Sequence, residues 1–350
     1  MNVRQAIQRA RDWVAEESAR IPGFHGAFLA GSLTQLPHDT PLEPWRDVDV
    51  VMVTTDRAAV KEDRLELIHE GVILECGLLG DEGFRSAETI LSEPEHADNL
   101  AAGVILADPT GALGRLHKTV AEEYFRRRWV QARVDSSARV VTKRLVAGRK
   151  ALEAGDLAAV LMHFYVGTAQ LVNLSSLANA TPLTLRRCFM RTGEILEAQG
   201  RADLHEEALA LIGTAKLTRA DTERFLSHFD EAFELATRIK RQPVHYDFKF
   251  RGHLRPYYVD GTREMIDAGR HREAMFWIIG YAYQAWLVLL SDATDEQQQP
   301  HLERLVELFQ TLDLLPTSDW ADRFDRYESL LQKFTEAAAA RVRTHPGLRD

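Results

Sequence analysis

The stretch Asp47-Val48-Asp49-Val50-Val51 decides how the N-terminal part of this chain is read. β-Branched residues dominate positions 48–54, which predicts a strand. Side chains of a strand alternate between faces, so Asp47 and Asp49 project from one side, about 7 Å apart along the chain. Val48 and Val50 then point the other way, into a core. Two carboxylates on one face repel each other unless a cation lies between them. Mg²⁺ is a hard ion that takes one or two protein carboxylates together with substrate phosphates. The pair therefore points to chemistry on a phosphate chain, where charge builds on the attacking and leaving oxygens.

Upstream, Gly31-Ser32 follows a short apolar run at 26–30 and opens a polar loop with Pro37, Pro41 and Pro44, and with Trp45 directly before Arg46. Glycine lets a backbone approach a phosphate closely, and serine adds a hydroxyl and an amide. Downstream, GVILECGLL at 71–79 reads as a second apolar run of strand length, interrupted by Glu75. An unpaired carboxylate is costly in such a run. Either a shared metal or an acceptor hydroxyl that Glu75 deprotonates would account for it. Residues 104–106 give a further short strand, and Asp108-Pro109-Thr110-Gly111 turns into a helix at 112–125. Helical spacing marks residues 3–21, and 56–65 reads as a charged helical segment.

From about residue 126 onward the pattern is helical throughout, with segments predicted at 139–154, 157–177, 183–199, 219–240, 263–268, 273–290, 301–312 and 319–342. The fold class is thus α+β: a mixed-sheet domain at 1–125 followed by a larger all-α helical-bundle domain at 126–350. A weak internal echo links 149–171 with 263–285, where Arg149, Ala154, Gly155 and Gln170 recur as Arg263, Ala268, Gly269 and Gln284. It would divide the helical part into related bundles at about 126–240 and 241–350, although any two helical hairpins share much of this pattern.

The bulk numbers set limits on partners. In 350 residues, 52 acidic against 43 basic side chains leave a formal charge of -9, which counts mildly against a nucleic-acid substrate and suits a cationic small molecule. Hydrophobic residues at 45% provide for packed cores and exclude a disordered chain. Cys76 and Cys188 are the two cysteines, too far apart for a metal-ligand spacing. Residues 1–20 lack an apolar signal core, and no uninterrupted apolar run reaches membrane-spanning length. A cytoplasmic protein without membrane attachment is expected; oligomeric state is left open.

Gly-Ser, a variable loop, Asp-hydrophobic-Asp on a strand and a single later acid resemble the DNA polymerase β-type nucleotidyltransferase superfamily. The pattern is similar in particular to its small-molecule branch of aminoglycoside and lincosamide nucleotidyltransferases, which also place a helical domain after the catalytic one. The resemblance covers roughly the first 115 residues. It implies that Gly31 and Ser32 hold the triphosphate, and that Asp47 and Asp49 bind Mg²⁺. Glu75 would be the third metal ligand or the general base. It implies transfer of a nucleoside monophosphate from an NTP, with ATP the usual donor, to a hydroxyl of a small acceptor, and hence a place in antibiotic resistance. Two rivals remain beside it: modification of a protein or tRNA in a regulatory or toxin–antitoxin-type role, and a silent nucleotide-binding scaffold.

Other features weigh less. The cluster His245, Tyr246, Asp247, Lys249, Arg251, His253, Arg255, Tyr257 and Tyr258 reads first as an interhelical loop with cation–π contacts, and second as a lid over acceptor or base. Lys143 and Arg144 read as a solvated helix face before a phosphate contact. His163, and the aromatic series Phe276, Trp277, Tyr281, Tyr283 and Trp286, read as core.

Overall fold

The computed structural model describes residues 1–43, 45–60, 65–241 and 249–350. Two compact units emerge: Met1–Ser136 together with Val342–Asp350, and Ser137–Arg341. The class is α+β. The sheet belongs entirely to the first unit, and every regular element described within the second is helical.

In the first unit, strands β1 (Phe24–Ala30), β2 (Asp47–Thr54), β3 (Leu65–His69), β4 (Val72–Gly80) and β5 (Val104–Ala107) form one sheet in the order β3-β4-β2-β1-β5. β2 and β4 run parallel, while the β3–β4, β1–β2 and β1–β5 pairs are antiparallel. Alternation along β2 is what the valines dictate. Val48, Val50 and Met52 turn to one face, where Leu29, Leu74 and Cys76 join them. Helix α1 (Val3–Ser18) covers that face with Val3, Ala6, Ile7, Ala10, Trp13 and Val14, spaced so that one stripe is apolar. Asn2 and Gln5 close its first turn as a capping box.

The opposite face is covered by α2 (Ala87–Ser92), α3 (Pro94–Ala101) and α4 (Ala112–Glu123), whose Ile90, Leu91, Leu100, Leu113 and Val120 pack with Phe28, Ala30 and Val53. Asp47 and Asp49 lie on this second face, toward the start of β2. Of the segment expected to be a charged helix at 56–65, residues 61–64 lie outside the described residues, and the described ends are not α-helical. Arg57–Ala59 make one 3-10 turn capped by Asp56, and Leu65 already begins β3, an edge strand. Its alternation of Leu65, Leu67 and Ile68 with charged residues was too short to outweigh the helix-forming residues before it.

The second unit is a set of packed helices. α5 (Arg127–Glu153) supplies it from Ser137 onward, followed by α6 (Leu157–Ala178), α7 (Cys188–Ala198), α8 (Ala202–Leu211), α9 (Arg219–Ile239), α10 (Gly261–Asp267), α11 (His271–Asp292), α12 (Asp295–Thr311) and α13 (Trp320–Thr344, which it holds through Arg341). α8 was not foreseen. α12 starts earlier than its proline suggested, because the Thr294–Gln297 capping box closes the first turn and Pro300 is accommodated inside the helix. The two echoing segments share one turn chemistry. Gly155 and Gly269 both take left-handed φ, 72° and 79°, immediately before a long apolar helix.

α6 and α11 match a membrane crossing in length and apolarity, contrary to the reading that no segment does. Their most apolar windows are 50% and 61% buried within the protein itself, so those side chains serve as core. Tyr165 stacks on Phe276 at 4.3 Å, and Trp277 packs against Tyr258 and Tyr281.

Candidate metal centre

Register brings the carboxylates together. β2 and β4 pair Asp49 with Glu75, and β4 and β3 pair Glu75 with Glu66. Residues opposite each other in a ladder share a face, so Asp49, Glu75 and Glu66 form a row across three strands. Asp47 stands two positions before Asp49 on that same face. One ligand oxygen from each of Asp47, Asp49 and Glu75 lies within 4.8 Å of the others. Oxygens around a single Mg²⁺ at about 2.1 Å can be at most about 4.2 Å apart. A small side-chain rotation therefore suffices for the three to share an ion. The donor set, all carboxylate oxygen, suits a hard cation and neither zinc nor copper in preference.

Asp47 and Asp49 are half-buried, and Glu75 is buried at 8% exposure. Glu66 is more deeply buried still, at 2%. The field of these acids reaches through the sheet. The Cys76 thiol, on the opposite face, is pushed well above its ordinary range, first by burial and then by the charges of Glu75 and Asp49. Cys76 is consequently a protonated core residue rather than a nucleophile.

Gly31 is fixed by the same group. Its φ of 71° and ψ of -165° fall in a region that essentially glycine alone occupies. A Cβ there would overlap the Asp49 carboxylate. The backbone at Gly31 thus lies directly against Asp49 before Ser32 opens the 3-10 turn Ser32–Gln35. Thr34 donates from its amide and its hydroxyl to the Gly31 carbonyl, at 3.3 and 2.8 Å, and holds the turn closed. Ser32 is exposed, and its Oγ accepts a hydrogen bond from Arg46 Nη1 at 3.2 Å.

Two participants were missed from sequence. Glu66 lies in β3, where the sequence reading placed no strand between the helical segment at 56–65 and the apolar run at 71–79, so its pairing with Glu75 had no signal in the chain. Arg46 was noted only as the neighbour of Asp47; its contact with Ser32 depends on the path of the intervening loop. Of the polar cluster near 245–258, His245, Tyr246 and Asp247 lie outside the described residues. Of the rest, Arg255 pairs with Asp230 and Glu234, Tyr257 receives the Arg186 guanidinium on its ring, and Tyr258 packs on Trp277. These are packing roles. Arg144 shares a hydrogen bond with His163 at 3.3 Å.

No family model matches the chain, and no curated protein does. Among solved structures it is similar to a nucleotidyltransferase-like protein from Exiguobacterium sibiricum, at 13% identity and a TM-score of 0.32, over 87% of this chain and 90% of that one. At that level the likeness carries no argument, and the weight rests on the residues themselves.

Proposed function

We propose that this chain is a metal-dependent nucleotidyltransferase whose catalytic part is the sheet-bearing first unit. The observation that carries the reading is the convergence of Asp47, Asp49 and Glu75 within 4.8 Å, with the Gly31 backbone seated against Asp49. Three carboxylate oxygens this close can bind one hard cation together. Mg²⁺ held there would neutralise a nucleoside triphosphate and stabilise the charge that develops on the oxygens at phosphorus.

In this reading Asp47 and Asp49 hold the ion, and Gly31 and Ser32 receive the triphosphate. The acceptor hydroxyl oxygen forms a bond to the α-phosphorus as the bond to the departing pyrophosphate breaks. Glu75 is a ligand or takes the hydroxyl proton. The donor is ATP, the acceptor a hydroxyl of a small, cationic, aminoglycoside-like molecule, and the setting the cytoplasm. The overall charge of -9 supports a cationic acceptor over tRNA.

Labelled ATP offered with Mg²⁺ and a panel of aminoglycosides, lincosamides, protein and tRNA tests this directly. Label transferred to a small acceptor, with pyrophosphate released, is the expected result. Transfer to protein or tRNA would replace the acceptor while keeping the chemistry. Binding of Mg·ATP without transfer to any acceptor would leave a nucleotide-binding scaffold.

A further inference from the structure

Arg46 is the cation nearest in sequence to the carboxylates, and its surroundings set it apart from the surface arginines. Its side chain is 15% exposed. Nη1 donates to Ser32 Oγ at 3.2 Å, and Nε donates to Glu43 Oε2 at 2.9 Å. The guanidinium is therefore tied to the residue next to Gly31 and, through the chain, to Asp47. Its acidic partner, Glu43, is 38% exposed and belongs to the proline-bearing loop rather than to the sheet.

A partly exposed pair three residues apart contributes little to stability, because water competes for both charges. A guanidinium presents several donors in one plane, so one nitrogen can keep a hydroxyl while others take phosphate oxygens. We propose that Arg46 is a phosphate-binding residue for the β- and γ-phosphates of the nucleotide, and that Glu43 is its resident counter-ion. When a triphosphate arrives, the guanidinium exchanges the Glu43 carboxylate for phosphate oxygen and keeps Ser32 aligned. Arg46 and the ion at the carboxylates would then neutralise the phosphate chain from two sides. The inference rests on the nucleotidyltransferase reading.

The test is calorimetric affinity of the full-length protein for Mg·ATP and for Mg·tripolyphosphate, in wild type, Arg46→Gln, Arg46→Lys and Glu43→Gln. Arg46→Gln is expected to weaken both ligands by about tenfold or more, the scale of one lost charge-assisted hydrogen bond. Arg46→Lys should recover part of the loss. Glu43→Gln, which removes the competitor, should bind tripolyphosphate at least as tightly as wild type. If Arg46 merely tied the loop to Ser32, Glu43→Gln would weaken binding as Arg46→Gln does, and that result overturns the proposal. So does wild-type affinity in Arg46→Gln. Should Arg46→Gln fail to fold, the direction of the Glu43→Gln change decides alone. Wild-type protein that binds neither ligand overturns the nucleotidyltransferase reading, and this inference with it.

Discussion

The helix ends and the carboxylate face of the sheet use charge in opposite ways. In the second unit, the guanidinium of Arg323 is 2% exposed and donates to the carbonyls of Leu211, Leu312 and Asp313, at the C-terminal ends of α8 and α12. Helix ends leave such carbonyls without intrahelical partners and carry partial negative charge, so a buried cation there completes the structure. Arg133 does the same within the first unit, donating to Leu91 and Tyr124 carbonyls. Asp47, Asp49 and Glu75 instead bring like charges together, which no helix end or ladder requires. Charge that satisfies backbone explains the fold. Carboxylates gathered on one sheet face offer a cation several oxygens at once.

The sharpest way to break this contrast is to neutralise one acid. Asp49→Asn should lower turnover on the order of 10³-fold, since an ion at such a site supplies several kcal/mol of transition-state stabilisation. Without metal, its thermal midpoint is expected to stay close to that of wild type, because the amide keeps the size of the carboxylate and relieves its repulsion with Asp47 and Glu75. Undiminished turnover would end the proposed mechanism, and a clear loss of metal-free stability would show that Asp49 is structural.

The mirror experiment is Arg323→Ala. It leaves three carbonyls short of a donor in a closed interior and should cost about 3 kcal/mol in urea unfolding. Activity of the remaining folded protein, measured well below the transition, should be little changed. A cost below 1 kcal/mol would mean that water replaces the guanidinium and that the buried cation is not a structural closure.

Gly31→Ala stands between the two. Forcing a side chain into φ 71° costs about 1–3 kcal/mol, and the new methyl displaces the Asp49 carboxylate. Mg²⁺ affinity should fall together with stability, whereas Asp49→Asn separates them. Unchanged Mg²⁺ affinity in a folded Gly31→Ala protein would show that the turn does not position Asp49.

These residues differ in how far the chain announces them. Asp47 and Asp49 were legible because valine alternation puts both on one face, and Glu75 because it is the single acid interrupting an apolar run of strand length. That β2 and β4 run parallel, with Asp49 opposite Glu75, was not; register is a property of pairing and has no local signal. Glu66 was hidden for the same reason, behind a segment whose charged residues favour helix. Arg323 and Arg133 look in sequence like any solvated arginine on a charged helix. What distinguishes them is which carbonyls happen to end nearby. The long helices were readable from period, whereas α8 and the start of α12 depend on caps and on a tolerated proline. Sequence therefore carries the acids of the candidate site better than the arginine closures at helix ends.

The smallest effect concerns pH and again separates the units. His163, His205, His228, His253 and His301 all lie in the second unit, and each is shifted below the ordinary imidazole value of 6.5 with burial as the first cause. His205 is the buried one, at 7% exposure, packed against Gly193 with its Nε2 3.8 Å from Glu273 Oε1. That distance is beyond a hydrogen bond, and burial outweighs the attraction of Glu273, so the pair is not a salt bridge at neutral pH. A folded-state pKa below the unfolded one makes the unfolded chain bind protons first. Stability is therefore fully present above 6.5 and is lost as pH falls below it, through the folded values. The helical far-UV signal should melt at progressively lower temperature from pH 7 to pH 5. His205→Gln should flatten that slope, and Asp49→Asn should leave it unchanged. A midpoint that stays level or rises over this range would mean that the histidines charge within the fold without cost, and that the second unit's interior is wetter than its packing implies.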